Sequence, residues 1–275
     1  MLKKLLKYDL KFIFKYWWIA AVVCGILSVV CGFCVTFLLS DRELPSVVTS
    51  TATSALFLTY ITFFGVGIVT FILIFIRFYC NFFSDEGYLT FTLPVKRSSL
   101  LNSKIISAFI VSVATAILLV ICVCAVLMIG LGKDFWDKEF WYWIFKGLKM
   151  YFGSNIICRI IYIIEILASS VLSTIFGYLF LYTCISIASI IAKKARVIIA
   201  IGLYFGINFT ISFILQIFFI FGIGTIINYF QKIEAALLEP TICLAGLGVV
   251  LFLAAVCSAL YVILYRMLDR KLNLT

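Results

Sequence analysis

Phe83-Ser84-Asp85-Glu86-Gly87-Tyr88-Leu89-Thr90-Phe91-Thr92-Leu93-Pro94-Val95-Lys96-Arg97 is a polar, turn-bearing island between two long apolar runs, residues 55–76 and 105–129. That alternation decides the fold class. Each flanking run supplies the roughly 20 apolar residues that a helix needs to cross the hydrocarbon core of a bilayer. The pattern repeats along the chain. Six spans are expected, at 17–39, 55–76, 105–129, 160–191, 197–224 and 241–265, within a single transmembrane domain covering residues 1–275.

Composition agrees. The chain of 275 residues is 65% hydrophobic and 12% charged. A soluble domain of that size could not cover its surface with so little charge. The apolar runs do not alternate as the strands of a membrane barrel do, so the expected class is all-α and polytopic. Span four, residues 160–191, is too long for an upright crossing and should tilt or bend. Lysines spread over the first fifteen residues, with no small-residue cleavage site, argue against a cleaved signal peptide.

Before span one, residues 1–16 read as an amphipathic interfacial helix. At 100° per residue Lys3, Lys4, Lys7, Lys11 and Lys15 share one arc, opposite Leu2, Leu5, Leu6, Phe12, Ile13 and Tyr16. Such a helix suits the headgroup layer, its lysines near anionic lipid. Trp17 and Trp18 suit the interface. Asp9 falls on the apolar face, where it either pairs with a lysine or touches a partner. A second interfacial segment is expected between Gly130 and Asn155, where Trp136, Trp141 and Trp143 stand among mixed charges.

An even number of spans puts both termini on one side. Fifteen of the 22 Lys and Arg residues fall on that side: before span one, at 77–104, at 193–196 and in the tail. The positive-inside rule makes it the cytoplasm. The formal charge of +10 is therefore largely a topological bias. Scattered over four short segments, it does not read as a nucleic-acid surface.

Several chemistries are excluded or disfavoured. There is no histidine and no G-x-x-x-x-G-K-[ST] phosphate loop, so the chain is not expected to be an enzyme. Cys31-x-x-Cys34 lacks a partner pair and reads as small apolar packing, like most of the ten cysteines; no metal site is expected. Acids within spans are scarce, which argues against a proton relay.

Within the island, Asp85, Glu86 and Gly87 supply charge and a break. Tyr88, Leu89, Thr90, Phe91, Thr92 and Leu93 can form one short helix, which Pro94 stops; Ser98 or Ser99 can cap the start of span three. Two readings of this island stand side by side: a rigid lever whose aromatics fill a cleft on a partner, and a surface loop resting on the membrane.

The series Glu86-Gly87-x-Leu89, Leu93-Pro94-Val95-x-Arg97, Leu101 and Lys104 resembles the first cytoplasmic loop of permeases of the type-two ABC exporter class. Tyr88 replaces the usual Thr there, and the Gly-to-Pro spacing is shorter. The wording of the island is similar to that of a subgroup common in Gram-positive bacteria, near the exporters of phenol-soluble modulins and bacteriocins. The resemblance implies a permease in a bacterial plasma membrane. Its coupling helix, Asp85 to Pro94, would touch a separate ABC ATPase present in two copies, and Lys193, Lys194 and Arg196 would make a lesser contact. ATP and Mg would be bound by that partner, and a second permease, in all expectation a homodimer partner, would complete the complex. The cargo implied is an amphipathic peptide.

Candidates for the remaining roles are fewer. Gly202-x-x-x-Gly206 is a close-approach motif that suits either the permease–permease seam or packing within one chain; Ser169-x-x-x-Ser173-x-x-x-Gly177 is a second small-residue stripe. Glu165, Asn208 and Gln216 are polar groups inside spans that suit either a substrate path or hydrogen bonds between helices, with Glu165 also able to pair with Arg159. The rival functions are a stand-alone secondary transporter or channel, and a non-transporting scaffold or sensor.

Overall fold

A computed structural model describes residues 2–39, 46–83, 87, 96–132, 134–151, 156–191, 195–232 and 235–270. Among them are seven α-helices: α1 (Leu2–Leu38), α2 (Ser46–Phe83), α3 (Arg97–Leu131), α4 (Lys138–Tyr151), α5 (Ile156–Ile191), α6 (Arg196–Lys232) and α7 (Ala235–Arg270), with a single 3₁₀ turn at Asp134–Trp136. Six of them, all but α4, are long and apolar enough to cross a membrane. The protein is an all-α, multi-pass membrane protein, as the hydropathy requires.

The helices run well past the apolar runs. α1 is continuous from Leu2 to Leu38, with no boundary between an interfacial segment and a span. The loop expected at 225–240 is helical over most of its length, and Pro240 lies inside α7 rather than ahead of it. In each case polar residues continue the helix once the apolar stretch has nucleated it. Trp17 is buried, whereas Trp18 is 65% exposed, so only the second of the pair faces outward as expected. Between Gly130 and Asn155, where an interfacial segment is expected, the chain forms the helix α4. Phe135 ahead of it packs against Trp136, Phe140 and Trp141, and the Trp141 indole donates to the Phe135 carbonyl at 2.9 Å.

The chain divides into two compact units. The first comprises residues 1–81 and 102–148. Here Ile13, Trp17 and Ala21 of α1 pack on Val111 of α3, with Leu73 of α2 against them. One step along, Cys24, Val66 and Cys122 repeat the three-helix contact. Between the two layers the Trp17 indole donates to Thr115 Oγ1 at 3.0 Å, which meets Thr70 Oγ1 at 3.1 Å. Trp17–Thr115 and Cys24–Cys122 share the same offset of 98 positions, so α1 and α3 run parallel. Serial crossing of a bilayer requires this of first and third spans.

The second unit comprises residues 82–101 and 149–275. α5 packs against both α6 and α7, burying Leu179, Leu181, Tyr182, Ile185 and Ala188. The rings of Phe180 and Tyr204 meet at 5.6 Å between α5 and α6. Cys243 and Cys257 of α7 point their thiols at the carbonyls of Cys158 and Leu172, each 85 positions earlier, so α5 and α7 are parallel as well. Hydroxyls along these helices, such as Thr183 and Ser186, return to their own carbonyls three or four residues back. That removes the cost of an unpaired polar group in lipid.

Candidate coupling site

The island joins the end of α2 to the start of α3, so the groups that fix those two ends decide how it is held. In the first unit the key group is Asp9, which is 2% exposed on α1. Its Oδ1 accepts three donors: Lys104 Nζ of α3 at 2.5 Å, Arg77 Nε of α2 at 2.8 Å, and Asn81 Nδ2, one turn beyond Arg77, at 3.3 Å. The Arg77 guanidinium also lies 4.8 Å over the Phe12 ring. The Lys104 side chain is buried almost as deeply as that of Asp9. A charge this far from water is tolerated only when paired and hydrogen-bonded. The misfit on the apolar face of α1 is thus the point at which three helices are tied, and its lysine partner comes from α3, not from α1's own lysines.

In the second unit the start of α3 is clasped to the end of α7. Arg97 Nη1 donates to the Leu268 carbonyl at 3.1 Å, the Asp269 carbonyl at 2.7 Å and Asp269 Oδ1 at 2.8 Å. A cation on the last carbonyls of a helix also opposes its dipole. The helix begins earlier than the serines suggest. The Lys96 carbonyl accepts from the Ser99 and Leu100 amides, which makes Lys96 the cap position and leaves Ser98 and Ser99 inside the first turn. At the other root of the island, a Cβ on Gly87 would stand 2.8 Å from the Phe82 carbonyl oxygen. Only glycine lets the chain pass so close to the last turn of α2.

Arg196, expected to make a lesser contact with a partner, donates through Nη1 to the Phe83 carbonyl at 3.3 Å. It supports the end of α2 from within the chain. Asp85, Glu86, Tyr88, Leu89, Thr90, Phe91, Thr92, Leu93, Pro94, Lys193 and Lys194 lie outside the described residues.

The other candidates do not converge. Asn208 donates to the Tyr204 carbonyl of its own helix at 2.9 Å, and Gln216 is exposed on α6. Glu165 rests against Gly246 of α7 and has no ion pair with Arg159. Gly202 and Gly206 are exposed on α6, with open space where side chains would be among the described residues. Gly177 likewise faces open space. Cys31 lines an apolar cavity of about 210 Å³ with Leu56, Phe63 and Leu127, and no group of metal-ligating side chains occurs among the described residues.

Sequence reading missed the roles of Arg77 and Asn81, and took Lys104 only as part of a motif. The available signal was charge: an acid on an apolar face needs a cation, and Arg77 and Lys104 directly adjoin the cytoplasmic ends expected for spans two and three. Comparison of the chain with family models, curated proteins and solved structures finds no match.

Proposed function

We propose that the chain is the permease subunit of an ATP-driven exporter in a bacterial plasma membrane. The island from Asp85 to Pro94 docks on a separate ATPase, which binds ATP and Mg, and a second copy of the permease completes the complex. The cargo is an amphipathic peptide. The observation that carries this reading is the island itself, a Glu-Gly-x-Leu … Leu-Pro-Val-x-Arg series between two spans. Two features support it. Both of its roots are fixed by specific polar contacts, at Asp9 and at Arg97. The chain has no phosphate loop of its own, so in this reading ATP is bound by a partner.

In this mechanism ATP draws two ATPase subunits together, and the docked segments move with them. A push on the island enters α2 and α3 through their rooted ends. ATP must favour one arrangement of the spans over the other for the push to do anything.

The test is purification of the intact chain from its native membrane in a mild detergent, with mass spectrometry of what accompanies it. A stoichiometric P-loop ATPase is expected. The Tyr88→Ala/Phe91→Ala variant should remain folded yet lose substrate-stimulated ATP hydrolysis. No ATPase in the wild-type preparation, or full export by the variant, would turn the reading towards a stand-alone transporter or a scaffold.

A further inference from the structure

Glu165 is the one carboxylate that the coupling site leaves unexplained among the buried groups described. It is 7% exposed, and its Oε1 is buried with no hydrogen-bond partner. Cys158, Tyr162 and Glu165 follow at spacings of four and three, so they share one face of α5. That face meets Cys243 and Gly246 of α7. The Cys243 thiol lies 3.8 Å from the Cys158 carbonyl, and a Cβ added to Gly246 would collide with Glu165 Oε2. The carboxylate therefore sits in the space that a missing side chain leaves open.

No cation of the described chain answers it. Arg159 precedes Glu165 by six positions and so stands about 120° round the helix. The helices carrying the two sides of this patch are membrane spans, and the neighbours Ile164, Leu167, Leu244 and Leu247 are exposed and apolar. A carboxylate in such surroundings is costly unless a positive charge joins it. A cation arriving there has to pass along an apolar surface, which selects one carried on a greasy body.

We propose that Glu165, seated on Gly246 between α5 and α7, is the recognition site for an amphipathic cation. Glu165 supplies the counter-charge, and the aromatic face of Tyr162 and the flanking aliphatic side chains receive the apolar part. The proposal builds on the exporter reading by naming the charge of the cargo, but its test needs no ATPase, so either can fail alone.

The experiment uses the full chain in lipid nanodiscs and tritiated tetraphenylphosphonium, with tetraphenylborate as a probe of the same shape and opposite charge. Saturable binding of the cation alone is expected. Glu165→Gln should weaken it about tenfold or more, the loss of one buried charge pair. Gly246→Ala, which keeps the charge but displaces it, should weaken it too. A hydrophobic carbodiimide should label Glu165 in the unaltered protein, and tetraphenylphosphonium, not tetraphenylborate, should suppress the adduct seen by mass spectrometry. That readout needs no variant to fold. Equal binding by Glu165→Gln, non-saturable uptake, or labelling unchanged by the cation would overturn the proposal.

Discussion

Lys104 Nζ of α3 and Asp9 Oδ1 of α1 stand 2.5 Å apart, on the oxygen that also accepts Arg77 Nε of α2 at 2.8 Å. One carboxylate is thus shared by cations from two helices. Removing it should be worse than removing either cation, because Arg77, Asn81 and Lys104 would all lose the hydrogen bond it accepts. Breaking a buried pair from one side costs about 3–5 kcal/mol. Asp9→Ala should lower the thermal unfolding midpoint of the detergent-solubilised chain sharply, and Asp9→Ala/Lys104→Met should recover part of the loss. A double-mutant cycle in which the two changes simply add would show that the contact carries no coupling.

The clasp at Arg97 is of a different kind. Its side chain and that of Asp269 are 44% and 47% exposed, so solvent screens the pair. Exposed ion pairs contribute about 0–1 kcal/mol. Arg97→Ala should therefore leave global stability nearly unchanged while freeing the last turn of α7. Hydrogen exchange of the amides at 264–270 should rise in the variant and not elsewhere in α7. Unchanged protection there would mean that the three bonds from Arg97 do not hold the helix end.

Gly87 tests the link between backbone and docking. A methyl group there meets the Phe82 carbonyl carbon and oxygen at 3.0 and 2.8 Å, and both are backbone atoms that a side-chain rotation cannot clear. Gly87→Ala should redirect the chain at the root of the island. The expected result is reduced recovery of the ATPase in co-purification, with an unchanged unfolding midpoint. Full recovery would place Gly87 outside the coupling geometry.

Hydropathy made the six crossings legible, because about 20 apolar residues in a row have few other uses. Helix ends were not legible: the residues of α6 and α7 near 225–240 look loop-like by polarity yet remain helical. Asp9 announced itself as a misfit, but its partners lie 68 to 95 positions away, beyond any periodicity. Small-residue spacing was as silent about contacts. Gly202 and Gly206 form a recognisable stripe with open space beside it among the described residues, while the tight glycine contacts of the first unit involve isolated residues with no local signature.

Those contacts give the last prediction. Gly32 of α1 faces Ile129 of α3, and Gly130 of α3 faces Val35 of α1. A Cβ at either glycine would come within 2.7 Å of the facing side chain, so the two helices approach as closely as their side chains permit. The contact is reciprocal: each helix offers a gap and fills the other's. Overpacking of this sort typically costs about 1–3 kcal/mol, since neither Ile129 nor Val35 can turn its Cβ aside. Gly32→Ala and Gly130→Ala should each lower the unfolding midpoint. Gly32→Ala/Ile129→Gly and Gly130→Ala/Val35→Gly should restore part of it, because only glycine removes the facing Cβ and so moves the gap to the other helix. The decisive comparison is Gly202→Ala on α6, which meets open space and should not lower the midpoint of the isolated chain. Equal losses at Gly202 and Gly130 would mean that close approach does not set the cost at Gly130, since helix propensity alone makes alanine stabilising at both positions.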